Sequence, residues 1–480
     1  MSDIAFKSAS ELAQMVANKD ISARELLDFY LERVDRYNDA LNAIVVDIRD
    51  TARETADAMD ANPGRGIFGG VPMTVKESYN IPDTPSTWGN PDWRDNIAKE
   101  DAESIKKLRG EGVNIFGKTN VPLALADFQS YNEVYGTTNN PYDHSRIPGG
   151  SSGGSAAALA AGLTGLEIGS DIGGSIRNPA HFCGVFGHKP TYNLLWMRGH
   201  GPGDIRSSSD ISVIGPLARS ATDLDKALRI MAGPDDIMSR GFKLDLPEWQ
   251  GRALSDLKVA VWKNDERAPV AQEVEARVDL VAQALKDSGA TVNEDARPDF
   301  TAKHTHDTYQ NLLQATMSAR MPDDQYESLR AYVNTLDPDD QSDQAKILRA
   351  QVSSFKSWAA NNELRHHLRW SWHQFFQDYD ILITPIMATA AFEHDHRTFG
   401  DRTIMVDNQE RPYFEQVFWA GLTGVAYLPS TVIPTGLNPA GLPIGVQIVS
   451  AEYNDLITIG IAEELEKIGF AFTPPPAYIG

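Results

Sequence analysis

Cysteine is almost absent from this sequence, which has a single one, Cys183, in 480 residues. One cysteine excludes a disulfide within the chain, and such sparing use of cysteine is typical of proteins in a reducing compartment. Long apolar runs are missing as well. No segment offers 18 consecutive uncharged apolar residues, and the first residues lack the basic start and apolar run of an export signal. We therefore expect a cytoplasmic protein with no membrane as a partner.

Positive charge is also in short supply. The chain has 44 lysines and arginines against 66 aspartates and glutamates, which gives a formal net charge of -22. This excess of negative charge opposes contact with a phosphate backbone, so nucleic acid is not an expected partner. Internal repeats of about 20–50 residues and low-complexity tracts are lacking too, which excludes repeat and fibrous architectures.

What the sequence does contain is an alternation of short apolar runs and amphipathic segments. Such alternation indicates an α/β fold. The chain begins with helices, because Ser8 with Glu11 and Ser22 with Glu25 have the spacing of capping boxes. Residues 300–378 interrupt the alternation with long helical stretches. No stretch rich in proline, glycine and serine divides the chain into independent domains.

Residues 148–190 hold two clusters in which glycines flank serines. The first cluster is Gly149, Gly150, Ser151, Ser152, Gly153 and Gly154, and the second is Gly173, Gly174 and Ser175. Glycines let a backbone turn sharply and bring its N–H groups against a ligand. The whole stretch predicts a loop, a helix, a strand and a second loop. Both clusters are therefore candidate parts of a functional site.

Lys76 stands at the end of a predicted apolar strand, in the segment GGVPMTVKES. A buried ammonium group must be paired or lose its proton. The ordinary interpretation is a salt-bridged lysine, or one whose stem covers apolar surface. The alternative is a lysine base, because a neutral lysine can take the proton of a serine. The residues alone do not show that Lys76 meets the serine clusters.

Three other motifs suggest alternative functional sites, but the sequence around each one does not predict the structure that the motif requires. Residues 112–119, GVNIFGKT, have Walker A spacing, but their middle positions read as a strand where a phosphate loop needs flexible glycines. Ser151 and Ser152 each satisfy G-x-S-x-G, but a nucleophile elbow needs a strand immediately before it. The histidines of residues 366–367 and 394–396 do not form H-E-x-x-H, so metal-dependent hydrolysis is disfavoured.

Five longer segments carry more information together. In chain order they are GGVPMTVKES, FGKTN, NPYDHSRIPGGSSGGSAAALAAG, GSDIGGSIRNPAHFCGVFGHKP and GLPIGVQIVS. They strongly resemble the amidase signature family of serine hydrolases. The resemblance spans about residues 8–470, is densest over residues 70–190 and is thin over residues 300–380. The two glycine-serine segments, with Ser175 following Ser151 by 24 positions, are its most specific part.

The resemblance implies a mechanism. Ser175 would attack an amide carbonyl, Ser151 would act as a hydrogen-bonding relay, and Lys76 would be the base. A cis peptide bond before Ser151 is implied, and so is an oxyanion hole of backbone N–H groups. The donors of that hole would be Ile172, Gly173 and Gly174, with Ser175 as a further one. No metal ion or organic cofactor is implied.

The resemblance also implies an architecture and a partner. Residues 1–480 would form one amidase signature domain, a mixed twisted β-sheet with helices on both faces. Residues 1–65 would be a helical region that packs on the core, and residues 300–380 a variable helical region that shapes the substrate pocket. A small-molecule amide is the expected partner, and a homodimer stays open. The candidate substrate-binding residues are Asp127, Phe128 and Ser130.

The remaining polar residues of the two clusters have expected supporting roles. We expect Ser152 and Ser155 to bond to loop backbone, as polar residues in tight loops commonly do. Asp171 and Arg177 are expected to fix the nucleophile loop. Cys183 is expected to be a small buried residue rather than a nucleophile.

The sequence departs from the family pattern in places. Ser170 and Ile172 stand where many family members carry threonines. The tyrosine-rich Y-Y-x-A-Y-Y segment typical of the A-type subunits of tRNA-dependent amidotransferases is not found. A free-standing amidase is therefore favoured. The alternatives are an A-type subunit that releases ammonia from glutamine and a catalytically silent binding protein on the same fold. Peptide, aryl, fatty acid and cyclic amides all stay open as substrates.

Overall fold

The computed structural model of the chain describes residues 4–62 and 65–480. Residues 1–3 and 63–64, parts of the predicted helical region over residues 1–65, lie outside the described residues. The strands are β1 Ile44–Asp47, β2 Pro72–Lys76, β3 Asn114–Thr119, β4 Tyr131–Asn132, β5 Gly136–Thr137, β6 Glu167–Asp171, β7 Phe186–Lys189, β8 Val213–Ala218, β9 Lys258–Val261, β10 Thr291–Asn293, β11 Ile381–Thr384, β12 Thr403–Val406, β13 Gln409–Pro412, β14 Ser430–Leu437 and β15 Pro443–Val449. The α-helices are α1 Ala9–Asn18, α2 Ala23–Leu41, α3 Arg49–Asp60, α4 Glu103–Gly110, α5 Gly153–Ala160, α6 Arg177–Cys183, α7 Ala221–Met231, α8 Gln272–Asp287, α9 Ala302–Ser318, α10 Asp323–Val333, α11 Asp343–Gln351, α12 Phe355–Asp378, α13 Val417–Gly424 and α14 Asp455–Lys467.

Eight strands form the main sheet, in the order β10-β9-β11-β15-β14-β7-β8-β6. The three strands β10, β9 and β11 are parallel, and the other neighbours are antiparallel. Successive side chains of a strand point to opposite faces. Accordingly, Val259 and Val261 pack in the core cluster that contains α7 and α14, whereas Ala260 packs in the cluster that contains α9, α12 and α13. Helices thus cover both faces, which confirms the predicted α/β fold with a mixed sheet.

A second sheet brings the lysine to the glycine-serine loops. Its order is β1-β3-β2, with β1 antiparallel and β2 parallel to β3. Strand β2 also packs against β6, the edge strand of the main sheet, and every residue of both strands is buried. Because β2 ends at Lys76 and β6 ends at Asp171, this packing places the lysine beside the loop that follows β6.

The capping boxes predicted for the first helices are confirmed. Ser8 Oγ accepts a hydrogen bond from the Glu11 N–H at 3.1 Å, and Ser22 Oγ accepts one from the Glu25 N–H at 3.1 Å. In both helices the glutamate bonds back to the backbone of the serine, so both capping boxes form. The segment with Walker A spacing contains β3 rather than a phosphate loop, as its apolar residues predicted.

The second predicted loop was wrong in two parts, because helix α6 and then strand β7 follow the nucleophile segment within residues 148–190. All seven residues of α6 are buried, and its polar residues Arg177, Asn178 and His181 make their hydrogen bonds inside the protein, so the helix has no solvent-facing side. Pro179 also stands in its first turn, where proline is tolerated because the N–H would have no partner inside the helix. The pattern of residues 177–183 is therefore that of a buried loop as much as of a helix.

Helices α9 to α12 form the predicted helical stretch of residues 300–378. Tyr309 and Trp372 are fully buried there, whereas Phe355 and Trp370 are 80% and 65% exposed. The aromatic residues of this stretch therefore divide between core and surface. Among the helices of residues 4–62 and 65–480, none combines the length and the apolar character needed to cross a bilayer.

Candidate active site

Lys76 is fully buried, and its amine faces hydroxyl groups. Nζ lies 2.6 Å from Ser151 Oγ, 2.9 Å from Ser170 Oγ and 3.0 Å from Ser152 Oγ. The ordinary interpretation of this lysine, a salt bridge or a stem covering the surface, is therefore wrong. The first glycine-serine cluster therefore reaches the amine through Ser151 and Ser152, and strand β6, which leads into the second cluster, reaches it through Ser170.

The surroundings favour a neutral amine. Burial lowers the pKa of Lys76 to about 7, against the opposing effect of the carboxyl groups of Asp171 and Glu167. Burial also raises the pKa of Glu167 to about 8, so this carboxyl is largely protonated at neutral pH and opposes the shift only weakly. A substantial fraction of Lys76 is therefore uncharged near pH 7.

The first glycine-serine loop has no room for larger residues. A Cβ on Gly150 would lie 2.4 Å from the Asp127 carbonyl oxygen, and the peptide bond between Gly150 and Ser151 is cis, as the resemblance implies. Asn178 joins this loop to the second one. Its Oδ1 accepts from the Gly150 N–H at 2.9 Å, and its Nδ2 donates to the carbonyl oxygens of Gly150 at 2.5 Å and Gly174 at 2.8 Å.

The second loop is built around a buried ion pair. Arg177 donates to both oxygens of Asp171, at 2.9 and 3.0 Å, and both side chains are at most 1% exposed. The same carboxylate accepts the N–H groups of Gly174 at 2.9 Å and Ile176 at 3.1 Å. Burial acts to raise the pKa of Asp171, but the charge and hydrogen bonds of Arg177 outweigh it and hold the pKa at about 2. The expected roles of Asp171 and Arg177 are confirmed.

Ser175 ends the second cluster, where it meets the first glycine-serine loop, and is 7% exposed. Its carbonyl oxygen accepts from the Ser152 N–H at 3.1 Å, which ties the two serine segments together. Within the part of the chain that the structure describes, the Ser175 hydroxyl has no hydrogen-bond partner. The structure thus brings Lys76, Ser151 and Ser175 into one buried region and leaves one hydroxyl available.

The predicted oxyanion donors fall into two groups. The Gly174 N–H is already used by Asp171 Oδ1, which removes it from the set of free donors. The N–H groups of Ile172, Gly173 and Ser175 have no acceptor among the described residues. The Ile172 carbonyl oxygen accepts from the Tyr309 hydroxyl at 2.9 Å.

The three candidate substrate-binding residues are engaged within the protein. Asp127 accepts from the Tyr413 hydroxyl and from Arg402 Nη1, each at 2.6 Å. Phe128 is 4% exposed and its ring stacks on the ring of Phe414. Ser130 donates to the Gly149 carbonyl oxygen at 3.0 Å and so supports the first glycine-serine loop. Direct contact of these three residues with a substrate stays a prediction.

Three further expectations concern neighbouring residues. Ser152 bonds to backbone, but to that of strand β6 rather than to the expected loop, since its Oγ accepts from the Ser170 N–H at 3.3 Å, and it also contacts Lys76. The expectation for Ser155 was wrong, because its Oγ lies 2.9 Å from the side-chain oxygen of Thr119. Cys183 is fully buried and burial raises the pKa of its thiol, as expected of a packing residue.

Sequence reasoning missed three residues of the site. Ser170 was noted only as a departure from the family pattern, although its hydroxyl at the end of β6 faces the lysine. Asn178 could have been considered as a site residue, because it follows the second cluster by only three positions. Tyr309 gave none, because it reaches the site from a helix 137 residues further along the chain.

The chain matches known proteins over nearly its whole length. The amidase family model matches residues 25–458. The A-type subunit of glutamyl-tRNA(Gln) amidotransferase from Caldanaerobacter subterraneus is 28% identical over 98% of this chain and 98% of that protein. Indoleacetamide hydrolase of Bradyrhizobium diazoefficiens is 30% identical over 96% of this chain and 86% of that protein. The crystal structure of a bacterial aryl acylamidase of the amidase signature family superposes with a TM-score of 0.80 at 25% identity, covering 99% of this chain and 98% of that one.

The family match and the relatives define the class as enzymes that act on carboxylic amides. The chain belongs to the amidase signature family.

Proposed function

We propose that the protein is a free-standing amidase that splits the C–N bond of a small carboxylic amide through an acyl-enzyme on Ser175. Lys76 is the base and Ser151 the relay between them. The observation that carries this proposal is the fully buried Lys76 amine, 2.6 Å from Ser151 Oγ and surrounded by hydroxyls. A buried charge without a carboxylate against it is costly, so this environment favours the form that can accept a proton.

Hydrogen-bond counting at the amine supports the same assignment. A neutral amine has two N–H donors and one lone pair. Ser152 is placed to accept one N–H and Ser170 the other, at 3.0 and 2.9 Å. The lone pair then faces the closest partner, the Ser151 hydroxyl, which donates to it. In this arrangement Ser151 Oγ is left with its acceptor side for the Ser175 hydroxyl.

The reaction follows from this proton chain. Ser175 Oγ attacks the carbonyl carbon, its proton passes to Ser151, and the Ser151 proton passes to Lys76. The C–N bond then breaks as the nitrogen takes a proton back through Ser151, and an amine or ammonia leaves. Water attacks the ester by the same route and releases the acid. The free N–H groups of Ile172 and Gly173 are the proposed donors to the oxyanion, with the Ser175 N–H as a third.

The composition of the chain argues against a polyanionic partner and fits a small-molecule amide. The net charge of -22 opposes nucleic acid, and the single buried cysteine fits a reducing cytoplasm. We propose that the wall made by Asp127, Phe128 and Ser130, together with the helices of residues 300–380, shapes the pocket for the acyl group. A homodimer is compatible with this arrangement.

Labelling with a fluorophosphonate probe tests the mechanism. The wild-type protein should be modified at Ser175. Ser175→Ala should not be labelled, and Lys76→Met should react roughly 10²–10⁴-fold more slowly, the usual contribution of a positioned base. Ser145→Ala is a matched control, since the side chain of this exposed serine bonds only to Asp143 of its own loop. Near-normal amide hydrolysis by a folded Ser175→Ala or Lys76→Met protein would contradict the mechanism, and a folded wild-type protein without labelling would support a silent binding protein.

A second candidate is an A-type amidotransferase subunit. The observation that favours it is the 28% identity to the Caldanaerobacter protein over 98% of both chains. Ammonia release from glutamine that depends on a co-purifying subunit would support this candidate. Hydrolysis of simple aryl or acyl amides by the isolated chain, without stimulation by glutamine, supports the free-standing amidase.

A further inference from the structure

We propose that Tyr309 is a positioning residue of the oxyanion hole, which aims the Gly173 N–H at the substrate by holding the Ile172 carbonyl oxygen. This inference deepens the proposed function and rests on it. It assigns a part in the chemistry to helix α9, which belongs to the stretch where the family resemblance is thin.

The contact is direct and enclosed. The Tyr309 hydroxyl donates to the Ile172 carbonyl oxygen at 2.9 Å, and the side chain is fully buried. The ring lies against Gly421 of α13, where an added Cβ would come within 2.3 Å of a ring atom. An added Cβ on Gly173 would lie 3.2 Å from the hydroxyl oxygen. The tyrosine thus occupies a slot between α13 and the nucleophile loop that leaves it little freedom.

Peptide geometry transmits this contact to the N–H group. The Ile172–Gly173 peptide is planar, and in a trans peptide the C=O and the N–H point in opposite directions. A tyrosine that fixes the direction of the Ile172 oxygen therefore also fixes the direction of the Gly173 N–H. Glycine at position 173 has no Cβ and can adopt many backbone angles, so an anchor on the preceding carbonyl restricts a freedom that another residue would lack.

The hydroxyl also keeps its proton. Burial and the charge of Asp171 raise the pKa of Tyr309 above its ordinary value, so the phenol stays a donor over the whole working range of pH. A hydrogen bond to an amide oxygen polarises the amide and strengthens the N–H on its other side. Tyr309 thus contributes both the direction and the strength of the Gly173 donor.

The test measures the rate of inactivation by a fluorophosphonate, whose attack by Ser175 also places a negative oxygen in the oxyanion hole. Tyr309→Phe keeps the ring and removes only the hydroxyl. We expect its rate constant to fall about 10-fold, less than the roughly 10²–10³-fold that follows outright loss of one oxyanion donor. The acid side of the pH–rate profile should stay in place, because Lys76 is untouched. Gly421→Ala, which displaces the ring, should slow the reaction in the same way.

Tyr30→Phe is the matched control, because Tyr30 is also fully buried and donates to a backbone oxygen, that of Ala5 at 3.3 Å, far from the nucleophile loop in the chain. It should react at the wild-type rate. A Tyr309→Phe protein that reacts as fast as the wild type would overturn the inference, and so would one whose pH profile shifts together with the rate, since that points to a general disturbance of the site. If the wild type is not labelled at Ser175 at all, the proposed function fails instead.

Discussion

Replacing Asp171 by asparagine tests how the nucleophile loop is held. Asp171→Asn keeps the shape of the side chain but removes its charge, and one of its two oxygens becomes an NH₂ group. Both carboxylate oxygens accept from N–H donors of Arg177, and they also accept from Gly174 and Ile176. Whichever way the amide is turned, its NH₂ therefore faces donors that it cannot satisfy.

The cost follows from the burial of the pair. Arg177 is 0% exposed and keeps hydrogen bonds to Thr423, Gln447 and the Ala420 carbonyl oxygen, but none of these carries a charge. Removing one partner of a buried ion pair typically costs about 3–5 kcal/mol, because the other charge stays buried without compensation. We expect the free energy of unfolding of Asp171→Asn to fall by about that amount.

The same variant should also change the pH dependence of activity. The Asp171 charge raises the pKa of Lys76, so its removal should lower that pKa further below about 7. A base works in its neutral form, and activity rises as the pH passes its pKa. The acid side of the kcat/KM profile should therefore move to lower pH in the variant, even though the protein is less stable.

Urea denaturation followed by tryptophan fluorescence and a pH–rate profile measure the two effects. Glu248→Gln is the control, since its pair with Arg229 is 42% exposed on both sides and such surface pairs are worth about 0–1 kcal/mol. The reasoning is refuted if Asp171→Asn loses no more stability than Glu248→Gln, or if the acid side of its profile moves to higher pH.

Two further predictions concern the wild-type protein. Its kcat/KM should rise with pH through about 7, because burial lowers the pKa of the Lys76 base to that value, and a profile that is flat between about pH 5 and 9 would contradict this assignment. Cys183 should stay unmodified by a thiol reagent in the native protein and react only in denaturant, because it is fully buried and burial raises the pKa of its thiol. Mass spectrometry before and after unfolding measures this modification. Rapid labelling of the native protein would contradict the prediction and show that α6 opens.

Local patterns in the sequence were enough for the parts of the site that lie within one segment. The glycines predicted both loops, and the apolar run before Lys76 predicted the strand that ends at this lysine. The contacts that sequence could not give are those between distant segments. Tyr309 meets Ile172 only because α9 packs against the main sheet and α13, and no spacing within either segment records that packing. Helix α6 was missed for a different reason, since it is only seven residues long and is buried on all sides, with its polar residues bonded inside the protein.

The site holds two buried basic side chains, the anchor Arg177 and the proposed base Lys76, and their surroundings separate the two roles. Arg177 cannot lose its proton in a protein, so it suits a permanent anchor and faces the Asp171 carboxylate. Lys76 can lose its proton when buried, and it faces the hydroxyls of Ser151, Ser152 and Ser170 instead. The end of β6 supplies both environments, because Ser170 and Asp171 are consecutive and point to different partners. If a carboxylate stood at position 170 and a hydroxyl at position 171, the carboxylate would favour the protonated form of Lys76, and Arg177 would lose its ion pair. The order of Ser170 and Asp171 therefore lets the end of one strand provide a suitable environment for both basic side chains.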